Sequence, residues 1–371
     1  MSTSQVLISP QETKKKLRDF VSNSPGKITF IFGAGASAGY SNESGRVRPP
    51  VVLDLLNEKN EFVAEALTLH PRIAFNRPMI EAELANFDYD LESYLSDLYG
   101  RDKDDTLFSE MMAYLQTIFA RASREIDYNS NNYKDLLFFL KEKRAHKKWS
   151  LISFNYDTLL EQSFKMIDRS RKSRTFATQQ DYLQINPPVI KIHGGVNFRY
   201  TFIDLNKDLE PHDLLLQMLE DDREPELYLE LLGLTAYSSD FHNRLKGKDV
   251  NNADVYYSKY DFPLMMVPVH GASISKNSFF TKMLDQAVEE LKDSELVVAI
   301  GYNFGDNTLT DLLKKLNLND KEIILVGTNN HPESLGVKKE EHISYKRAAE
   351  IWGTTRIFDG NGFGEFTNCL F

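Results

Sequence analysis

Residues 27–37 read KITFIFGAGAS, a short apolar run that ends in a glycine-rich turn. A continuous run of β-branched and aromatic residues such as 27–32 is typical of a strand buried on both faces of a sheet. Gly33 and Gly35 permit a tight turn after that strand, and the helix start that follows offers amide groups and a positive dipole end to a phosphate, with Ser37 as an added hydroxyl donor. The stretch predicts the first strand–turn–helix unit of an α/β sheet with a phosphate site, and a plain connecting turn is the alternative.

The same rhythm of apolar run and amphipathic helix returns after residue 148. Further strands are predicted from apolar runs at residues 149–154, 189–192, 264–269, 296–300 and 323–326. Helical spacing between these runs predicts helices at residues 156–166, 277–291 and 306–316. Strands that alternate with helices indicate a parallel sheet with crossover connections. The predicted fold class is therefore α/β, a Rossmann-like parallel sheet of about six strands flanked by helices.

Residues 50–145 interrupt this rhythm with helical patterns alone. Leu91, Leu95 and Leu98, for example, recur at the spacing of one helix face. We therefore predict one domain over residues 1–371 that carries a helical insertion at 50–145. Residues 200–260 form a second, mixed insertion with a polar, helical pattern and acidic turns. Both insertions are candidates for oligomer or partner contacts, and both could instead cover the sheet.

The charge balance limits the kinds of surface that the chain can offer. Its 44 basic and 54 acidic residues give a formal net charge of −10, which argues against a nucleic-acid surface spread over the whole chain. Basic clusters remain at 141–148 and 169–174. We interpret them as solvated helix ends and loops, with a local patch for a partner or nucleic acid as the alternative.

The single cysteine, Cys369, excludes an intramolecular disulfide framework and any zinc site built from two or more cysteines. No apolar run approaches the roughly 20 residues of a membrane span. The first 16 residues lack the apolar core of a signal peptide. These features favour a cytoplasmic location.

Small polar residues and glycines follow the predicted strands at the point where each strand ends. In a doubly wound sheet, ligands bind at these carboxyl ends. The candidate ligand-binding residues are Asn155 and Asp157 after the second strand, His193 after the third, Gly301, Asn303 and Asp306 after the fifth, and Asn329 after the last. Taken singly, the two aspartates could cap helices, His193 could be a core histidine and Asn329 could lie in a turn. Recurrence at five strand ends favours a ligand site.

The order of these motifs resembles the sirtuin-like superfamily, and most closely the sirtuin-like domains of bacterial antiphage defence systems. The motifs that carry the resemblance are GAGAS (33–37), FNYD (154–157), KIHGG (191–195), IGYNFGDNTLTDLL (300–313) and VGTNN (326–330). The resemblance implies a Rossmann-like sheet that binds NAD. It implies roles at the NAD phosphates for Gly33, Ala34, Gly35 and Ser37. It implies Asn155 and His193 as the catalytic pair, Asp157 as support for the ribose pocket, and the adenosine side for Gly301 and Asn329, with Asn303 and Asp306 among the NAD-binding residues.

Two departures from the family pattern bear on the reaction. The protein deacetylases of the family carry a four-cysteine zinc module, which one cysteine cannot supply, so no zinc is expected. Residues 44–50, SGRVRPP, stand where those enzymes carry an Asp-Phe-Arg stretch, so the nicotinamide-side contacts are unassigned. The resemblance therefore favours the defence-type members, which hydrolyse NAD to nicotinamide and ADP-ribose with NAD as substrate.

Uncontrolled loss of NAD would kill a cell, so we expect a restrained enzyme. The resemblance implies a homo-oligomer and a partner such as a HerA-type hexameric ATPase or another phage sensor. Two alternatives stay open. The chain could be a non-catalytic sensor of NAD or ADP-ribose within such a complex. A protein deacylase or ADP-ribosyltransferase is the weaker alternative, because the zinc cysteines are missing.

Overall fold

The computed structural model describes most of the sheet and the helical insertion. The described residues are 6–8, 15, 19, 26–38, 48–101, 107–126, 132–143, 148–167, 175–176, 182–184, 186–204, 226–228, 242–248, 254–265, 278–304, 310, 313–314, 316, 318, 321–327, 343–352, 356–358, 362–368 and 370.

Helices and strands follow one another in an order that separates the sheet from the insertion. Up to residue 143 the elements are β1 (Val6–Ile8), β2 (Lys27–Phe32), α1 (Ala34–Ala38), a 3₁₀ turn (Val52–Asp54), α2 (Glu61–Leu69), α3 (Pro71–Asn86), α4 (Leu91–Gly100), α5 (Leu107–Glu125) and α6 (Asn132–Lys143). The remaining elements are β3 (Trp149–Ser153), α7 (Leu159–Ile167), β4 (Thr175–Phe176), β5 (Val189–Lys191), β6 (Gly194–Asp204), β7 (Glu226–Tyr228), β8 (His242–Lys248), β9 (Asp254–Met265), α8 (Ser278–Lys292), β10 (Ser294–Ile300), β11 (Glu322–Val326), α9 (Ile343–Trp352), β12 (Arg356–Phe358) and α10 (Phe363–Asn368).

The central sheet has seven strands in the order β1-β12-β11-β10-β2-β3-β5, and every pair is parallel. This confirms the predicted α/β fold class, and β2, β3, β5, β10 and β11 are the predicted apolar runs. Their burial explains the pattern, since all residues of β3 and all but the first residue of β2 are buried. The edge strands β1 and β12 have three residues each and were not predicted, because so short a run carries no periodicity.

A second sheet corrects two predictions. Its strand order is β4-β7-β6-β9-β8, and its pairs are antiparallel. The strand predicted at 264–269 is wrong in its sheet and its start, because β9 runs from residue 254 to 265 and pairs with β6 and β8. The apolar residues 264 and 265 are only the end of β9, whose earlier part contains polar residues.

The helical pattern predicted for residues 200–260 is also wrong where that stretch is described. There the structure places the end of β6, then β7, β8 and most of β9. In β6 the sequence NFRYTFID alternates polar and aromatic residues, which is the two-residue period of a strand rather than the period of a helix. The stretch is therefore an antiparallel extension built onto β6.

In its described part, the insertion between residues 50 and 145 contains helices and turns and no strand, in line with its predicted helical pattern. Two side-chain caps fix helix starts: the Asn60 side chain accepts a hydrogen bond from the backbone N–H of Phe62, and Asp90 accepts from Glu92 and Ser93. The apolar faces of α2 to α6 belong to the same buried cluster as the strands of the parallel sheet. The insertion thus packs as part of the main core.

Strand order reverses between β2 and β10. From β2 the chain builds one half of the sheet through β3 and β5, and from β10 it builds the other half through β11 and β12. In doubly wound sheets, the crevice for ligands lies at the carboxyl ends of the strands at such a reversal. Among the described helices, none is both long enough and apolar enough to cross a bilayer.

Candidate functional site

Backbone hydrogen bonds continue past the strand ends and place the sequence motifs side by side. The four bonds run from Gly301 N to Val326 O (3.0 Å), from Gly33 N to Ile300 O (3.0 Å), from Phe154 N to Phe32 O (2.9 Å) and from Ile192 N to Ser153 O (3.1 Å). The motifs therefore form one row across the carboxyl edge of the sheet, in the order β11, β10, β2, β3 and β5.

The glycines after β2 and β10 allow two loops to touch backbone to backbone. Gly301 has a φ of +60°, and a Cβ there would lie 2.2 Å from the backbone nitrogen of Ala36. A Cβ on Gly33 would lie 2.5 Å from the Gly301 carbonyl oxygen. The amide of Gly35 donates to that same oxygen at 3.0 Å. These glycines serve the contact between the loops, and the phosphate-binding role of residues 33–37 stays a prediction.

Asn155 follows β3 and holds the glycine loop from the side. Its Nδ2 donates to the carbonyl oxygen of Gly33 at 2.9 Å, to Ser37 Oγ at 3.0 Å and to the Tyr133 hydroxyl at 3.1 Å. The hydroxyls of Ser37 and Tyr133 lie 2.8 Å apart. Ser37 is buried in this network, so its hydroxyl bonds to protein groups. Burial raises the pKa of Tyr133, so this hydroxyl stays neutral.

Asp157 lies beside this network and begins helix α7. Its carboxylate accepts a hydrogen bond from the backbone N–H of Leu159 at 3.1 Å, as the predicted helix cap would. The side chain is buried, and burial raises its pKa, while the nearby Lys191 ammonium offsets part of that rise and the Ser37 hydroxyl also helps to lower the pKa. Asp157 therefore links the glycine loop to a buried charge.

Lys191, the last residue of β5, is fully buried and uses its three N–H donors on three acceptors. Its Nζ lies 2.5 Å from the Asp157 carbonyl oxygen, 2.8 Å from Glu161 Oε1 and 3.4 Å from Asn197 Oδ1. Burial raises the pKa of Glu161, and Lys191 opposes that rise. Gly195 leaves room for the ammonium, since a Cβ there would lie 2.5 Å from Nζ. The network joins β5, β6 and α7 at the β5 end of the row of motifs.

His193 lies among aromatic rings at the end of β5. Its ring centroid is 5.3 Å from that of Phe154 and 6.3 Å from that of Tyr156. Phe154 in turn stacks on Tyr302 at 4.1 Å. The stack spans the ends of β5, β3 and β10. Because Phe154 directly precedes Asn155 in the chain, the stack brings His193 to the same edge of the sheet as Asn155.

Glu92, from helix α4 of the insertion, reaches the histidine. Its Oε1 lies 3.4 Å from Nε2 of His193, and its side chain is 29% exposed, against 1% for the histidine. In the sequence, Glu92 stands near the start of a helical pattern, where acidic residues are favoured by the helix dipole. No spacing in the sequence could reveal this contact, because it joins two residues about a hundred positions apart.

The loop after β10 continues the site on the other side of the glycines. Asn303 is exposed, whereas Phe304 is buried and has a φ of 55°. The Phe304 ring packs against Tyr302 and Trp352, and its carbonyl oxygen accepts a hydrogen bond from the Thr310 hydroxyl at 3.2 Å.

Two of the predicted site residues, Asp306 and Asn329, lie outside the described residues. So does the basic cluster at 169–174. Lys141 and Lys143 of the other cluster lie in the last turn of α6 and are exposed.

One cavity of about 310 Å³ lies within the insertion, away from these motifs. It is lined by Val52, Leu53, Leu56, Asn57, Arg77, Glu81, Leu84 and Tyr89. Within the described part of the chain, no three His, Cys, Asp or Glu side chains are grouped as a metal site requires.

No family model matches the chain, and no curated protein matches its sequence. Among solved structures, the chain is similar to a Sir2 homologue in complex with NAD, with 14% identity over 96% of this chain and 92% of that chain and a TM-score of 0.43. It is similar to a sirtuin studied for substrate affinity, with 14% identity over 96% and 97% of the two chains and a TM-score of 0.44. A Sir2 enzyme studied for mechanism and regulation has 12% identity, 97% coverage of each chain and a TM-score of 0.41. At these values the similarity assigns no role to any residue.

Proposed function

We propose that this chain is an NAD⁺ glycohydrolase, which cleaves NAD⁺ to nicotinamide and ADP-ribose. One observation carries the proposal: the described parts of the five motifs that resemble the NAD-hydrolysing sirtuin-like domains form a single row at the edge where strand order reverses. The row holds an imidazole, a carboxamide and two glycine loops in contact.

The proposed reaction makes modest demands on the protein. Glycosidic cleavage passes through an oxocarbenium-like state, and nicotinamide leaves a cation as a neutral group, so it needs no proton. The site must hold the dinucleotide and present one water molecule to the anomeric carbon. His193 is the proposed acceptor of the proton from water or from a ribose hydroxyl, because imidazole titrates near neutral pH.

The proposed substrate contacts follow the row of motifs. Residues 33–37 would face the phosphates and Asp157 the ribose pocket, while the adenosine side would fall to Gly301, Asn303, Asp306 and Asn329. Asn155 is proposed to act in catalysis through the geometry it imposes, since its Nδ2 fastens the Gly33 carbonyl and the Ser37 hydroxyl. The assignment of each residue to a part of NAD belongs to the proposal.

We propose further that the enzyme acts in the cytoplasm in antiphage defence and is controlled by assembly, as a homo-oligomer beside a HerA-type hexameric ATPase or another phage sensor. The insertion offers apolar side chains for such contacts: Phe75 is 85% exposed and Met79 41% exposed. Both lie on α3, four residues apart, and therefore on one side of that helix.

Chromatography of NAD⁺ incubated with the pure chain tests the proposed activity, alone and with the ATPase and DNA. We expect nicotinamide and ADP-ribose in equal amounts, and a loss of about 10²–10⁴-fold in rate for His193→Ala, the contribution of a positioned base. His70→Ala is the matched control, because His70 is a histidine of the insertion that bonds to Thr117, away from the strand ends. Wild-type rates in His193→Ala would overturn the assigned role.

A second function is supported by the contacts of Asn155. Because its amide donors already serve protein groups, they hold the glycine loop in place, and the site would then bind NAD or ADP-ribose without turnover. Saturable binding of ADP-ribose with no nicotinamide released, even with the partner and DNA present, would select the sensor over the hydrolase. Transfer of label from NAD to protein, or deacylation of a peptide, would select an ADP-ribosyltransferase or a protein deacylase instead.

A further inference from the structure

We propose that Glu92 of the helical insertion is the positioning residue for His193: its carboxylate, 3.4 Å from Nε2 in this structure, closes to a hydrogen bond with Nε2 in the substrate complex and assigns Nδ1 as the nitrogen that takes the proton. The inference rests on the proposed function for its chemistry, and on the structure alone for the pairing. It makes the insertion a contributor to the site rather than a cover.

The segment before Glu92 fixes the carboxylate in place. Asp88 and Tyr89 both have positive φ, at 52° and 57°, a conformation that costs non-glycine residues energy and that persists only where surrounding contacts enforce it. The enforcing contacts are hydrogen bonds from Tyr89 N to Leu84 O at 2.8 Å and from Asp90 N to Phe87 O at 2.9 Å. The chain is thereby turned sharply between α3 and α4, toward the end of β5.

The cap of α4 completes this placement. Asp90 Oδ1 accepts from the backbone N–H groups of Glu92 and Ser93, each at 3.2 Å, and its Oδ2 accepts from the Ser93 hydroxyl at 3.0 Å. Glu92 therefore stands in the first turn of a capped helix, and its Oε1 lies 3.4 Å from Nε2 of His193. Contacts of this kind in ligand-free sites are often long and shorten in the substrate complex.

Two aromatic rings, those of Phe154 and Tyr156, pack against the histidine. Lys191, two residues earlier, is committed to Glu161, Asn197 and the Asp157 carbonyl. Glu92, with Oε1 at 3.4 Å from Nε2, is a carboxylate placed to orient the ring. In catalytic triads, a carboxylate hydrogen bonds to one nitrogen of the imidazole and fixes the ring. The other nitrogen is then free to accept the proton.

In the proposed hydrolysis, the bond between C1′ of the ribose and the nicotinamide nitrogen breaks, and its electron pair leaves with neutral nicotinamide. The oxygen of water bonds to C1′, and one water proton passes to Nδ1 of His193. The resulting imidazolium faces the Glu92 carboxylate, which stabilises it. The proton is then released to solvent as ADP-ribose departs.

Two variants of Glu92 test this assignment. Glu92→Leu removes the acceptor, so we expect kcat for NAD⁺ cleavage to fall at least about tenfold, with KM changed by less than about threefold. Glu92→Gln keeps an acceptor oxygen without the charge, so it should keep the ring tautomer and still lower kcat. Glu110→Leu is the control, because Glu110 also pairs with a side chain of another helix, Arg72, and is 34% exposed.

Nitrogen-15 NMR of the histidine rings supplies a readout that needs no turnover. With the His193 signals assigned by a His193→Gln variant, we expect the Nε2–H tautomer in the wild type and in Glu92→Gln, and loss of that preference in Glu92→Leu. An unchanged tautomer in Glu92→Leu, or wild-type kcat in both Glu92 variants, would overturn the pairing. If the wild type cleaves no NAD⁺ under any condition, the proposed function fails and the NMR result still decides the pairing.

Discussion

Gly301 shows at the residue scale why a glycine can be obligatory in a turn. Its φ of +60° is strained for any L side chain, and a Cβ would lie 2.2 Å from Ala36 N and 2.4 Å from the Gly35 carbonyl carbon. Both are backbone atoms, so no rotamer change relieves the overlap. The residue is thus fixed by the contact between the loops after β2 and β10, whatever ligand they bind.

Replacement of Gly301 by alanine should therefore force the two loops apart. We expect Gly301→Ala to lower the free energy of unfolding by about 2–4 kcal/mol, as the sum of backbone strain and displacement. Urea denaturation followed by tryptophan fluorescence measures this. Gly100→Ala is the control, because a Cβ at the end of α4 meets nothing within 4 Å. An equal cost in both variants would contradict the loop contact.

At the same scale, the sequence predicted which polar residues lie close together but not which partners they contact. Asn155 and His193 follow neighbouring strands, so their meeting at one edge could be predicted from strand order. The contacts of Asn155 with Tyr133 and of His193 with Glu92 could not, because both partners come from helices of the insertion. Long-range packing of a helix against a strand end leaves no periodic signal in the sequence.

Lys191 and Glu161 show how elements are joined beneath the site. The lysine ends β5, the glutamate lies on α7 and Asn197 lies on β6, where its Nδ2 donates to Glu161 Oε1 at 3.4 Å. Both charged side chains are 0% exposed. Removing one partner of a buried pair leaves an uncompensated charge, whereas removing both with apolar residues often costs little.

We expect Lys191→Met to lower the free energy of unfolding by about 3–5 kcal/mol, and the double variant Lys191→Met, Glu161→Leu to regain much of that loss. Thermal and urea unfolding of the single and double variants measure the coupling. Lys292→Met is the control, since its pair with Glu289 is 46% and 63% exposed and should be worth under about 1 kcal/mol. Additive effects of the two buried substitutions would contradict the pairing.

Element prediction succeeded where one physical requirement dominates. Strands such as β2 and β10 are buried on both faces, so their apolar runs identify them, and the amphipathic helices of the insertion bury one face each. The antiparallel sheet was missed because β6 and β9 contain no long apolar run, and the alternation of polar and aromatic residues covers only part of β6. Its register depends on pairing between strands about sixty residues apart.

At the scale of the whole molecule, the insertion and the parallel sheet share one core. Buried residues from β2, such as Phe30, and from α5, such as Leu115, belong to a single hydrophobic cluster. That residues 1–371 form one domain stays a prediction. A shared core means that the chain has no apolar boundary at which insertion and sheet could separate, so both should unfold together.

Two optical probes report on the two parts. The tryptophans, Trp149 in β3 and Trp352 in α9, both lie outside the insertion, whereas most of the described helical residues lie between 61 and 143 and contribute circular dichroism. Leu115→Ala opens a cavity within the insertion and should cost about 2–5 kcal/mol. We expect it to lower the Tm by fluorescence and by circular dichroism equally, by a few degrees. The exposed Leu69→Ala serves as control. A drop in the dichroism midpoint alone would show that the insertion melts by itself, and Glu92 would then leave His193 before the sheet unfolds.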